Sequence, residues 1–186
     1  MTATPPSSLS PPLPAAPGVR PSWRFLLSHP AHLPALGLGA GRAPRAPGTV
    51  GTLLAWAAFA LAPHPFGPVE GAAVLILSTL VGWWACTVTA RHLALSDPAC
   101  IVWDEVIGFW LVLWLLTPAG FWPQAIAFLL FRFFDAAKPG PVAWADQLWK
   151  GRRGAPIGWA QGFGILFDDL VAALCTLLVI AVWRFA

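Results

Sequence analysis

Acidic side chains stand inside the most hydrophobic stretches of this 186-residue chain. Only eight residues are acidic, and five of them lie within or at the ends of apolar segments: Asp104, Glu105, Asp135, Asp168 and Asp169. A carboxylate near the middle of a bilayer costs roughly 2.5–3.5 kcal/mol on insertion scales. A divalent metal ion is the partner that such a set favours, because hard cations take oxygen ligands.

Four of these acids form two adjacent pairs, Asp104–Glu105 and Asp168–Asp169. Neighbouring residues on a helix point about 100° apart, so one carboxylate can face a metal while the other holds a water or a neighbouring helix. Adjacent carboxylates also repel each other unless they share a cation or a proton. The alternative interpretation is that each pair lies at a helix start, where acidic residues are favoured without any metal.

Two basic residues flank the fifth acid. The stretch FRFFDAAKP places Arg132, Asp135 and Lys138 at i, i+3 and i+6, which is one face of a helix. This pattern is typical of a structural ion pair, or of a metal ligand beside two cations that bind phosphate. In the second interpretation Arg132 offers a bidentate fork and Lys138 a point charge.

The glycine-rich stretch GLGAGRAPRAPGTVGT, residues 37–52, precedes an apolar helix. Backbone amides at such a start can receive a phosphate, and Gly48, Thr49 and Thr52 are the candidates for that contact. The stretch is not a P-loop, because no GK[ST] follows it. Taken alone, it is more typical of a loop leading into a membrane.

The composition predicts an integral membrane protein. Hydrophobic residues make up 58% of the chain and charged residues 10%, and the mean hydropathy is +0.69. A net charge of +3 suits anionic headgroups rather than nucleic acid. Three cysteines without a CxxC pair indicate neither a zinc site nor a disulfide framework. Residues 1–30 are expected to be a disordered Pro/Ser-rich tail, and residues 31–186 a single membrane-embedded domain.

Five apolar segments predict an all-α, polytopic fold with about four to five membrane-embedded helices: 50–62, 69–90, 101–117, 121–135 and 163–183. The second and fifth are long enough to cross a bilayer, whereas the first and fourth are short. Lys and Arg concentrate before the first segment and after the second and fourth, which places those regions in the cytoplasm. All five unusual acids are then expected at the cytoplasmic end of the helices.

Four sequence blocks together resemble the phosphatidylglycerophosphatase A family of bacterial membrane phosphatases. They are the glycine block GLGAGRAPRAPGTVGT, SDPACIVWDEVIG, FRFFDAAKPGP and GFGILFDD, and they occur in that order between about 37 and 173. The chain departs from the family at KGRRGAPIGWAQ, which resembles an insertion, and at Ala172-Ala173, where Ala-Gly is expected.

The resemblance implies Mg²⁺-dependent hydrolysis of phosphatidylglycerophosphate to phosphatidylglycerol and phosphate, as a step of phospholipid biosynthesis. It implies a multi-pass protein of the bacterial inner membrane whose active site faces the cytoplasm. Arg132 and Lys138 would hold phosphate. The metal and catalytic carboxylates would be Asp104, Glu105, Asp135, Asp168 and Asp169.

A cation- or proton-coupled transporter is the alternative function, since transporters also use intramembrane carboxylates. The sequence leaves open whether one or two metal ions bind. It also leaves open whether water attacks directly or an aspartyl-phosphate forms. Asp146 is expected to lie in a polar loop, where its replacement would have little effect.

Overall fold

The computed structural model describes residues 20–62, 67–149 and 156–185, and within these ranges the chain is helical with no strand. Two short helices and a 3₁₀ segment come first, and six longer helices follow. Their bounds are α1 Trp23–Leu27, α2 His32–Ala35, the 3₁₀ segment Gly37–Arg42, α3 Pro47–Leu61, α4 Pro68–Leu93, α5 Trp103–Leu116, α6 Phe121–Ala137, α7 Pro141–Leu148 and α8 Trp159–Phe185.

All five predicted apolar segments are helices, namely α3, α4, α5, α6 and α8. Proline at the first helical position begins α3, α4 and α7, where its missing N–H would have no partner in any case. The sequence did not predict α1, α2 or α7. Helix α1 lies within residues 1–30, the expected tail, and its Leu26 is buried with Leu36 and Cys100. Residues 1–19 lie outside the described residues.

The fifth apolar segment was expected to begin at residue 163, but α8 begins at Trp159. Asp168 and Asp169 therefore lie more than two turns inside the helix, and the interpretation of this pair as helix-start acids is wrong. Gly162 and Gly164 make the first turns poor in helix propensity. Close contacts with Thr87 and Trp149 outweigh that weak preference, which local sequence cannot reveal.

Within the described residues two helices, α4 and α8, are long and apolar enough to cross a membrane, which is fewer than the four to five that were predicted. With 26 and 27 residues they extend about 40 Å. Both carry large apolar side chains on their outer surfaces, for example Leu77 and Leu80 on α4 and Leu178 on α8. The other three predicted segments, α3, α5 and α6, have 14 to 17 residues and are shorter than a typical span.

The central helix of the bundle is α5, which packs against α3, α4, α6 and α8. Its buried side chains Val106, Phe109 and Val112 meet Phe131 of α6 and the buried Ala172 of α8. Successive long helices run in alternating directions. As a result, the starts of α3 and α5, the end of α6 and the first half of α8 share one end of the bundle.

Candidate active site

Seven of the eight acidic residues of the chain gather at this shared end. Six of them line one open cavity of about 270 Å³, and Asp146 contacts the same group through Lys138. Arg132 and Lys138 also line this cavity. The lining acids are Asp97, Asp104, Glu105, Asp135, Asp168 and Asp169. The five acids that the sequence singled out are therefore brought together at one end of the helices.

Three carboxylates form the tightest group within the cavity. Asp104 and Glu105, in the first turn of α5, meet Asp169 of α8, and one oxygen of each lies within 4.8 Å of the others. Glu105 and Asp169 are buried, and Asp104 is partly buried. Two full charges at this separation repel by about 3–4 kcal/mol at an effective dielectric constant of about 20. The group therefore needs a cation or shared protons.

The oxygens of this group fit a hard divalent cation. Asp104 Oδ1, Glu105 Oε2 and Asp169 Oδ2 are buried without a hydrogen-bond partner, and so is Asp168 Oδ1. Buried polar atoms in folded proteins nearly always have a partner, so several in one place mark a position that a bound cation or shared protons can satisfy. Carboxylate oxygens are the donors that Mg²⁺ prefers. Asp104, Glu105 and Asp169 are thus the residues best placed to hold it.

The glycine block contributes Gly48, in the first turn of α3, to the same cavity. A Cβ atom at this position would overlap Glu105 Oε1 and lie 3.2 Å from Arg132 Nη1. Only a residue without a side chain lets the carboxylate and the guanidinium approach this helix start. Helix N-termini attract anions through free N–H groups and the helix dipole.

Arg132 connects three elements of the site. Its Nη1 donates to Asp135 on the same helix, lies 3.8 Å from Glu105 Oε1 and lies 3.5 Å from Thr52 Oγ1. Thr52 is buried, and its hydroxyl donates to the carbonyl oxygen of Gly48 at 2.9 Å. Thr52 therefore fixes the arginine from behind rather than lining the cavity.

Lys138 does not continue the helical face of Arg132 and Asp135, contrary to the expected i, i+3, i+6 arrangement. It is the C-cap of α6 in a left-handed conformation (φ 45°), because Pro139 and Pro141 prevent the helix from continuing. The chain turns there, and Lys138 Nζ donates to Asp146 Oδ1 and to Asp168 Oδ2, both at 2.5 Å. Burial opposes its charged form, but Asp168 and Asp146 outweigh this and raise the pKa of Lys138 above its ordinary value.

Two acids of the site were missed from the sequence, Asp97 and Asp146. Asp97 lies inside the block SDPACIVWDEVIG, seven residues before Asp104, which was a signal that it belongs to the same site. Asp146 was expected in a polar loop, and that expected location is wrong. It lies on α7 with a side chain that is only 13% exposed, and it forms an ion pair with Lys138.

The predicted phosphate contacts separate into two groups. Gly48, Arg132 and Lys138 line the cavity, where they can meet a bound anion. Thr49 and Thr52 do not line it, although both belong to the first turns of α3. The role of Thr52 in this structure is to hold Arg132 through its hydroxyl oxygen.

Three of the four histidines form a separate cluster that joins the N-terminal segment to the end of α4; the fourth, His64, lies outside the described residues. His32 Nδ1 donates to the carbonyl oxygen of Phe25 at 2.6 Å, which leaves its Nε2 to accept from His92 Nδ1 at 2.9 Å. The ring of His29 packs within 5.3 Å of His92. Burial lowers the pKa of His32, with neighbouring His92 and His29 adding to the effect. The cluster links the N-terminal segment to α4, and none of the three described histidines lines the acidic cavity.

A second cavity of about 220 Å³ lies between α3, α4 and α5, toward the opposite end of the bundle. Its lining is apolar and includes Ala58, Val74 and Trp114. None of the described residues that line it is acidic or basic.

A family model and two of the similar curated proteins carry the same family name. The sequence model of a family described as phosphatidylglycerophosphatase A matches residues 33–184. Phosphatidylglycerophosphatase A of Escherichia coli is 36% identical over 155 residues, covering 81% of this chain and 81% of the relative. Phosphatidylglycerophosphatase A of Haemophilus influenzae is 33% identical over 161 residues, covering 86% and 92%. A relative from Bacteroides thetaiotaomicron, provisionally named as a phosphatidylinositol-3-phosphatase, is 35% identical over 168 residues, covering 85% and 98%. No solved structure matches the chain significantly.

Proposed function

Because the chain belongs to the phosphatidylglycerophosphatase A family, we propose that it hydrolyses phosphatidylglycerophosphate to phosphatidylglycerol and phosphate with the help of Mg²⁺. The observation that carries this proposal is the buried group of Asp104, Glu105 and Asp169, with unpartnered oxygens, beside Arg132 and Lys138. A metal site next to two cations is what a phosphate ester requires, because its charge must be neutralised on several sides.

Asp104, Glu105 and Asp169 would hold the Mg²⁺ ion, and Asp135 and Asp168 stand at the edges of that group. The ion would act as a Lewis acid that withdraws charge from the phosphate oxygens. Arg132 supplies a fork of N–H donors for the remaining oxygens, and Lys138 supplies a compact positive charge in the same cavity. The start of α3 at Gly48 adds backbone amides to the same anion site.

The reaction breaks the bond between phosphorus and the glycerol oxygen, and the oxygen of water ends on the phosphate. One proton must leave the water, and one must reach the departing glycerol oxygen. The carboxylates around the cavity can accept the first, and a carboxylic acid formed there can deliver the second. Burial of these side chains on three helices fixes them in place before the substrate arrives.

We propose that α4 and α8 cross the bacterial inner membrane and that the acidic cavity opens at its cytoplasmic face. The outward apolar surfaces of both helices support membrane association. Basic residues near the cavity end, including Arg42, Arg45 and Arg91, favour the cytoplasmic side. A headgroup at this depth would reach the cavity while the acyl chains stay among the helices.

The comparisons do not favour the alternative of a proton- or cation-coupled transporter. Transporters of this kind place their binding groups near the bilayer midplane, commonly between repeated halves. Here the carboxylates gather at one end of the bundle, and the apolar cavity at the other end contains none. The sequence also contains no internal repeat.

The test is phosphate release from phosphatidylglycerophosphate in mixed micelles by the purified full chain. Activity should disappear with excess chelator and return with Mg²⁺. Asp104→Asn, Asp135→Asn and Asp169→Asn keep the size of the side chain and remove its charge. Each should lower turnover by at least about 10²-fold, since general acid–base catalysis alone contributes about 10²–10⁴. Full turnover in chelator, or near-normal turnover of all three variants, would show that the proposal is wrong.

A further inference from the structure

Asp146 contacts Lys138, and this contact is as short as the one that Lys138 makes with Asp168. The two carboxylates hold the ammonium from two different helices, α7 and α8. Both are largely buried, with 13% and 10% of their side chains exposed, whereas 30% of the Lys138 side chain is exposed. The ammonium is therefore fixed on its inner side and accessible from the cavity, which Lys138 lines.

A lysine side chain at a cavity wall is normally one of the most mobile groups of a protein. A single carboxylate partner leaves it free to swing around that contact. Two partners on different helices define one position, because the ammonium must satisfy both at once. Lys138 is also held at its backbone, since it occupies the left-handed turn between α6 and α7.

The helix that carries Asp146 is itself firmly docked. Val142 and Ala145 of α7 are buried, and Trp149, directly after the helix, packs edge-on against Phe163 and Phe167 of α8. Gly164 allows this contact, because a Cβ there would lie 2.8 Å from that of Trp149. An acid on such an element has a fixed position, which a residue in a mobile loop would not have.

From these contacts we infer that Asp146 is a positioning residue, which holds the Lys138 ammonium at the cavity wall where the phosphate of the substrate binds. The inference rests on the proposed function for the identity of the substrate. The role of Asp146 itself requires only that the bound molecule carries a phosphate group. In this inference the structural role of α7 is to place the Asp146 carboxylate against the Lys138 ammonium.

The experiment is a double-mutant cycle of Asp146→Asn and Lys138→Met in the purified full chain. Asp146→Asn should raise KM about five- to twenty-fold and leave kcat within about three-fold, because it loosens binding and not the reacting groups. In the Lys138→Met background the same replacement should change KM by less than about two-fold, since its target is gone. Asp146→Glu should restore part of the lost affinity.

A second readout is independent of the lipid. The affinity of the protein for inorganic phosphate, measured by calorimetry in the presence of Mg²⁺, should fall with Asp146→Asn by a factor similar to that in KM. The matched controls are Glu70→Gln, which removes a negative charge at the start of α4, and Gln147→Ala, at the exposed neighbouring position on α7. Both should behave like the natural protein.

If Asp146→Asn changed KM equally with and without Lys138, the inference would be overturned. Asp146 would then act only by docking α7 and not through the lysine. Unchanged phosphate affinity in a folded Asp146→Asn protein would overturn it as well. A natural protein that binds phosphate but releases none from phosphatidylglycerophosphate would instead refute the proposed substrate. In that case the phosphate affinities of the variants would still decide the role of Asp146.

Discussion

Replacing Gly48 with alanine separates the geometry of the site from the stability of the fold. A Cβ at this position would overlap Glu105 Oε1 and crowd Arg132 Nη1. The position belongs to the first turn of α3, and alanine in a helix is favoured over glycine by roughly 0.5–1 kcal/mol. The atom that the new Cβ would overlap is at the end of the flexible Glu105 side chain. We therefore expect Glu105 to move while the helix bundle stays intact.

The size of the effect follows from the displacement. Glu105 must retreat by roughly 1 Å, and a misplacement of that size at a reacting centre costs about 10²-fold in rate. Turnover should fall by about this factor, and the Mg²⁺ concentration for half-maximal activity should rise, because one metal ligand has moved. Phosphate release from phosphatidylglycerophosphate across a Mg²⁺ titration measures both quantities.

Gly120→Ala is the matched control, because a Cβ at Gly120 meets nothing within 4 Å. It should leave turnover and Mg²⁺ dependence unchanged. A Gly48→Ala protein with full turnover and unchanged Mg²⁺ dependence would refute the reasoning, since Glu105 would then not need its approach to α3. Loss of folding in the same variant would also contradict the expected movement of Glu105, and thermal unfolding detects it.

Three further outcomes are expected. Asp169→Asn should weaken the binding of Mn²⁺, used in place of Mg²⁺, by at least about ten-fold in calorimetry, because it removes a carboxylate ligand. Lys138→Met should not weaken Mn²⁺ binding, because this replacement removes a positive charge that repels the cation. Since burial lowers the pKa of His32 below 6.5, protonation opposes folding, so the Tm should fall as the pH drops below about 6.5, and His32→Gln should reduce that dependence. Cysteines introduced at Ala136 and Gly120 should be labelled from opposite sides of the membrane, with Ala136 on the cytoplasmic side. The same topology predicts the outer side for Phe66 and the cytoplasmic side for Gly151, and both residues lie outside the described residues.

The meeting of distant acids at one end of the bundle was predictable from the sequence. Apolar segments of helical length must alternate in direction when short connections join them. Residues before Asp104 and after Asp135 then lie at the same end, whatever the details of packing. The distribution of Lys and Arg indicated the same end independently. Local patterns were sufficient because the argument needed only element order and length.

The arrangement of Lys138, Asp146 and Asp168 was not predictable in this way. The turn at Lys138 depends on where the two following prolines direct the chain. The position of Asp146 depends on α7, an eight-residue helix too short to be recognised by its pattern and held by aromatic contacts with α8. Contacts between elements decide such positions, and a single sequence does not contain them in readable form.

One departure from the family pattern has a structural explanation. Ala172 and Ala173 stand where Ala-Gly was expected, and both are fully buried in the core around Phe109 and Phe131. The space beside α8 therefore accommodates a methyl group at each position. Of the stretch that resembles an insertion, residues 150–155 lie outside the described residues, and the remainder leads into α8.

The ion pairs divide the acidic cavity into two parts with different needs. Arg132 pairs with Asp135 and Glu105, and Lys138 pairs with Asp146 and Asp168. In the part of the chain that the structure describes, no basic side chain pairs with Asp104 or Asp169. Positive charge for these two must come from a bound cation or from protons, because buried like charges are not tolerated alone. Asp104 and Asp169 are thus left to a bound cation or to protons, whereas Arg132 and Lys138 are cations that carboxylates hold at the cavity and that suit the proposed phosphate substrate.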